Sequence, residues 1–272
     1  MLYPHSLLWH YLWVGTDVLL LILALLAWRR QLNKLFPAFF VYLVFEGMQG
    51  LTLYVMDLAP GVVSADLYWR TDITFLVMEV AVKLAVIREI FSNLVSSRPS
   101  VARTGKYLVV SVGLVLLALA AVAWAHAPVV PNQAPSSVRL VAHYQVLEQA
   151  IYLVEAGLLL FIYLFAAYHH LIWSRQQHGI ALGLSISACV GLGVFAIYAT
   201  RIVFPGLRLL DFFNTTTYHV CVLIWFYYLL SPAHPSAAQI NNGTSTEPKT
   251  NAPIHRVGQR LQPAPLLARS RS

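Results

Sequence analysis

Long apolar runs alternate with short polar segments from the beginning of the chain to about position 230. The runs predict helices at about 8–28, 35–56, 69–90, 106–126, 143–168, 179–202 and 213–230. A helix needs roughly 20 apolar residues to cross the hydrocarbon core of a bilayer. Within that core an isolated extended segment would leave its backbone donors and acceptors unsatisfied, so runs of this kind must be helical. The expected fold is all-α: a polytopic membrane protein whose residues 1–230 form a seven-transmembrane-helix bundle. Residues 231–272 change character to Pro, Ser, Asn, Thr and Arg without apolar periodicity, the composition of a disordered tail.

Composition agrees with the pattern. Of 272 residues, 58% are hydrophobic and 11% charged, and the mean hydropathy is +0.66, unlike the balanced mixture of a soluble domain. The start "MLYPHSLLWHYLW" lacks the basic opening of a secretory signal, and its apolar run continues to "WRR", so it reads as the first span. Cys189 and Cys221 both fall inside apolar runs and are expected to be small buried side chains, not a disulfide framework.

The net charge of +7 would fit a nucleic-acid partner if the basic residues were clustered on a soluble domain, but they are not. They gather in "RRQLNK", "SSRPSVARTGK", "HHLIWSRQQH" and the tail, the segments after the first, third, fifth and seventh runs. Because basic loops stay in the cytoplasm, this predicts an amino terminus outside, a carboxyl terminus inside, and residence in the cell inner (plasma) membrane. Trp9, Trp13, Trp28, Trp69, Trp124 and Trp173 fall near predicted span ends, where amphipathic rings favour the headgroup zone. Arg256, Arg260, Arg269 and Arg271 in the tail are placed to touch anionic lipid, at up to about 1 kcal/mol each.

Ionisable side chains within spans are costly and turn toward a bundle interior or wet cavity, so they map the inside. Residues three, four and seven apart share a helix face. On that spacing Tyr42, Glu46 and Gln49 form one stripe, Asp72, Glu79 and Lys83 a second, and Gln145, Glu148, Gln149, Tyr152 and Glu155 a third. His10 and Asp17 share the first helix, Tyr198 and Arg201 lie near the outer end of the sixth, and Asn214, Tyr218 and Cys221 mark the seventh. The fourth run, almost without polar residues, is expected to face lipid most.

Glu79 and Lys83 pair at i and i+4, and Glu46 on the neighbouring antiparallel helix is expected within reach of Lys83. One reading is a buried ion pair that sets helix register. The other is a binding site: Asp17, Glu46, Glu79, Glu148, Tyr152 and Glu155, together with Lys83 and Arg201, would line a cavity in the outer half. There acid outnumbers base, an arrangement suited to a proton, a cation or a small cationic solute. Such a cavity serves transport or, with a separate cytoplasmic partner, sensing. No cofactor and no metal centre are expected, since His10, His126, His143 and His219 have no ligand spacing on a single helix. Enzymatic chemistry is disfavoured: "GLSIS" offers Ser185 as a nucleophile, yet pairing it with His219 requires opposed depths to match.

Smaller signals complete the picture. Gly183, Ser187 and Gly191 form a small-residue ridge of the kind that brings helices close. The openings of the first and fifth runs resemble each other, as a three, one, three plan would leave, although Leu-rich spans also resemble one another by chance. The last run has no Lys for a retinal Schiff base. Asp-Arg-Tyr and Asn-Pro-x-x-Tyr patterns of receptors and the Pro-Gln pair of small sugar carriers are missing, so helix count alone carries no family assignment.

Overall fold

The computed structural model of the chain describes residues 7–59, 61–96, 99–125, 136–199 and 207–231. Its seven α-helices are α1 (Leu7–Arg29), α2 (Pro37–Asp57), α3 (Ala65–Val95), α4 (Pro99–Ala125), α5 (Ser136–Tyr168), α6 (Arg175–Ala199) and α7 (Leu207–Leu230), with a short 3-10 turn at Leu32–Lys34. The tail beyond Ser231 lies outside the described residues.

Most helices start earlier than the apolar runs, because hydropathy marks where lipid is favourable while hydrogen bonding decides where a helix begins. Ser64 starts α3 by accepting the Leu67 backbone N–H at 3.2 Å. Ser174 and Gln177 form a reciprocal capping box at the start of α6: Gln177 N–H donates to Ser174 Oγ at 3.2 Å, and Ser174 N–H donates to Gln177 Oε1 at 3.1 Å. Pro37 occupies the first turn of α2, where its missing N–H costs nothing. The next two N–H groups of α2, on Ala38 and Phe39, donate to the Glu89 carboxylate of α3 at 3.0 and 3.1 Å. A negative charge at a helix amino end is electrostatically favoured. At the other end of α5, His170 adopts φ 49° and Leu171 N–H returns to Ala166 O at 2.9 Å, a Schellman stop.

Four helices are long and apolar enough to cross a membrane, over His10–Arg29, Pro37–Asp57, Tyr144–Tyr168 and Arg175–Ile197. The other three fall short for local reasons. In α3 the ionisable residues Asp72, Glu79, Lys83, Arg88 and Glu89 interrupt the apolar surface; α7 is polar from Asn214 to His219; the apolar stretch of α4 among the described residues is Tyr107–Ala118. Every helix nevertheless exposes large apolar side chains, among them Leu25, Val41, Val77, Leu114, Leu164, Ile197 and Leu223.

Packing places α1, α2, α3, α5, α6 and α7 in a ring, closed where α7 meets α1. Helix α4 stands outside it, packed on α5 and more narrowly on α3. This order leaves α4 as the peripheral helix. The ends of α1, α3, α5 and α7 and the starts of α2, α4 and α6 share one face of the assembly, here the basic end after Arg29, Arg30, Lys34 and Arg175. There Arg30 Nη1 donates to Leu230 O at 2.6 Å and caps α7.

In the half toward the basic end the ring is filled with carbon. Leu23, Leu43, Ile90, Ile162 and Ile180 surround Trp225, each with 2% exposure or less. Trp225 fits because Gly183 has no side chain: a Cβ there would sit 2.2 Å from Trp225 Nε1. The indole N–H donates to Ile180 O at 3.3 Å. Gly191, two turns along, admits the ring of Tyr152, 2.7 Å from where a Cβ would be. The small-residue ridge on α6 thus lets aromatic side chains of α7 and α5 into contact with its backbone. Cys221 is buried as expected, but Cys189 is exposed, because α6 turns that position to the outside of the ring.

Candidate functional site

Above the carbon-filled half, three aromatic groups form a floor. Tyr42 of α2 and Tyr218 of α7 join their hydroxyls at 3.1 Å, and both rings meet Trp225 edge-on, at 5.8 and 6.2 Å between centroids. A tyrosine with an apolar body and a polar tip suits this boundary.

On the polar side of the floor, α3 and α5 bring their stripes together. Lys83 Nζ lies 2.7 Å from Glu79 Oε1 on its own helix and 3.3 Å from Glu155 Oε2 on α5. The two side chains of the interhelical pair are almost sealed, 7% and 3% exposed. The Lys83 ammonium also stands 5.6 Å from the centre of the Tyr152 ring, a cation–π distance. Tyr152 hydroxyl donates to Glu148 Oε1 at 3.2 Å, one turn back along α5. Glu46 of α2 faces the Glu79 carboxyl, so four glutamates from three helices gather near one lysine. Asp72, also buried, continues the α3 stripe two turns away.

Glu46 stands within electrostatic reach of Lys83, as its depth on α2 predicts, and lies against Glu79, while the ion pairs of Lys83 among the described residues are to Glu79 and Glu155. Asp17 is buried and pressed on α2 where Gly50 leaves room: a Cβ at Gly50 would lie 2.3 Å from its carboxylate oxygens. Gln145 at the start of the α5 stripe is exposed, since the stripe drifts out of the ring toward the helix end. Arg201 lies outside the described residues, as does His126.

Further from the basic end the polar interior continues. Thr16 bonds His219 Nδ1 at 2.9 Å while its hydroxyl also reaches Leu12 O, and Tyr54 hydroxyl meets His10 Nδ1 at 3.1 Å. Ser185, by contrast, donates to Ala181 O at 2.7 Å, so Ser185 and His219 are directed to different partners. The pairings of Thr16 with His219 and Tyr42 with Tyr218 are not apparent from the sequence. Their signal is that each lies on an interior stripe of its own helix, which says which way it faces but not what it meets.

Five buried oxygens in this region have no hydrogen-bond partner among the described residues: Asp17 Oδ2, Glu46 Oε1, Gln49 Oε1 and both oxygens of Glu155, of which Oε2 keeps its ion contact with Lys83. Leaving a buried acceptor unmatched costs about 1–3 kcal/mol, more for a charged group. Together with the single lysine, these acceptors make the region short of donors and short of positive charge.

No protein-family model matches the chain, and no curated protein or solved structure shows significant similarity to it.

Proposed function

We propose that the chain is a seven-helix membrane protein whose acidic interior around Lys83 binds a proton, a cation or a small cationic solute and carries it across the bilayer. In this reading all seven helices cross, with the basic end in the cytoplasm of a cell's inner membrane. The exposed apolar side chains on every helix support the crossings, and the basic residues of the connecting segments support the direction. Helix α3 crosses despite its charges because its ionisable residues at mid-length turn inward to α5 and α2.

The observation that carries the functional reading is the imbalance at Lys83. One ammonium serves Glu79 and Glu155, while Glu46 and Glu148 stand close by and Glu155 Oε1 and Glu46 Oε1 remain unmatched. A purely structural ion pair would be better built with acid and base equal and every lone pair satisfied. Positive charge from outside completes the cluster, and a protein that needs it only part of the time can load and release it. Ser185 and His219, engaged with separate partners, support binding and transport over enzymatic chemistry.

The test is flux into proteoliposomes, with a pH gradient and with methylammonium as the small cationic solute. Wild-type protein should show movement of one or both above empty vesicles. Glu79→Gln and Glu155→Gln should each reduce it at least tenfold while the protein still inserts and purifies as a folded species. Unchanged flux in both variants would remove the cluster from the mechanism.

A further inference from the structure

Between α3, α4 and α5 lies a cavity of about 230 Å³. Its walls are nearly all carbon, contributed by Val80, Leu84, Ile87, Leu147 and their neighbours, and the exceptions are Lys83 and Glu155. Two lining residues, Val77 of α3 and Leu117 of α4, are about half exposed on the outside of the helices. The exposure of these two residues, where α4 packs only narrowly on α3, points to a sideways opening. In a bilayer that mouth faces the acyl chains.

Three features define what would fill it. The volume exceeds the about 150 Å³ apolar cavity that takes a benzene ring, so one ring with a short chain fits. The apolar walls reward a hydrocarbon body, at roughly 25 cal/mol per Å² removed from water. At the inner end Glu155, 3% exposed, holds Lys83 with Oε2 at the longer distance of 3.3 Å and has Oε1 without a partner. That oxygen needs a donor, and the surrounding excess of carboxyl groups favours a positively charged one over a neutral hydroxyl. An anionic head would meet Glu155 in the lining, and the Lys83 ammonium beside it is already held by two carboxylates.

We propose that this lateral pocket binds a lipophilic amine in its ammonium form, with the hydrocarbon body between α3, α4 and α5 and an N–H donated to Glu155 Oε1. The inference rests on the acidic interior as a cation site and adds a lipophilic class of cation that reaches Glu155 sideways from the membrane, apart from the path of small cations. Helix α4 then has a role beyond facing lipid: it is the outer wall of the binding pocket.

The experiment uses full-length protein in phosphatidylcholine nanodiscs, so that anionic lipid does not collect the probe. Binding of 4-phenylbutylamine, 4-phenylbutanol and butylbenzene is measured by saturation-transfer NMR and by the shift in melting temperature. The amine should bind at least tenfold more tightly than the alcohol or the hydrocarbon. Leu117→Trp, or Val77→Phe if the first variant does not fold, should weaken amine binding at least tenfold by filling the mouth, yet leave methylammonium or proton flux unchanged. Glu155→Gln should erase the preference for amine over alcohol. Equal binding of all three probes would make the pocket an acyl-chain slot, and full amine binding in the filled-mouth variants would place the amine elsewhere; either result overturns the proposal. Loss of methylammonium and proton flux is read separately in Glu79→Gln, which does not line the pocket, so failure of the cation site and failure of the lateral pocket give different patterns.

Discussion

Toward the basic end, Leu23, Leu43, Ile90, Ile162 and Ile180 close on Trp225 with carbon on nearly every side, whereas a few turns along the same helices the interior holds Lys83, four glutamates and unmatched oxygens. The backbone is α-helical in both regions. In the first, stability comes from filled volume, and any small ligand would have to displace packed side chains. In the second, oppositely charged groups replace much of the packing, and acceptors exceed donors. The Tyr42–Tyr218–Trp225 layer separates them and satisfies its own polar atoms, two hydroxyls with each other and the indole N–H with Ile180 O. A rigid, dry half beneath a polar half is a sound way to hold charged groups at fixed positions inside a membrane, because their supports do not depend on the ligand.

The contrast can be broken most strongly at its charged side. Lys83→Met leaves Glu79 and Glu155 buried without their cation and should cost about 3–5 kcal/mol, the range for removing one partner of a buried pair. Adding Glu79→Gln and Glu155→Gln to that variant should recover most of the stability and none of the flux, as followed by thermal unfolding in detergent and by the vesicle assay. If Lys83→Met melts with the wild type, the pair is not the structural centre of the polar half.

Trp225→Ala tests the dry half with an effect of similar or slightly smaller size, about 3–5 kcal/mol for a large aromatic removed from a packed core. It should lower the melting temperature without changing which cation the protein carries. A variant that keeps its stability but changes its selectivity would show that the two halves are not separable. Ser174→Ala should cost least, about 1 kcal/mol for a lost helix cap at the basic end. Hydrogen exchange in the first turn of α6 should rise while flux stays at the wild-type level.

Much of the architecture was legible in the sequence. Apolar runs located all seven helices to within a few residues at most ends, with α4 and α5 each beginning seven residues early and α7 six, because hydrogen bonding continues these helices beyond their apolar stretches. The sparse polarity of the fourth run anticipated its place outside the ring. Helical spacing also chose the inward faces correctly for Glu79, Lys83, Glu148, Tyr152 and Glu155. It paired Glu79 with Lys83 and set Glu46 within their reach, but it could not give Lys83 its second partner Glu155 or seat Asp17 against Gly50, because those contacts depend on the rotation and depth of separate helices. Glu89 shows the same limit: its carboxylate caps α2, a role visible only when α2 and α3 are set side by side.

Chain chemistry alone therefore determined an all-helical protein with apolar crossings, a bias of basic residues to one end, and acidic stripes on particular helix faces. These follow from hydropathy and the 3.6-residue turn, which act along one helix at a time. Tertiary structure decided that Lys83 also reaches Glu155, that Gly50 makes room for Asp17 and Gly183 for Trp225, and that a carbon-walled pocket opens beside Glu155. Those outcomes come from how closely and at what angle helices approach, and that is fixed by the summed shape of side chains far apart in the chain.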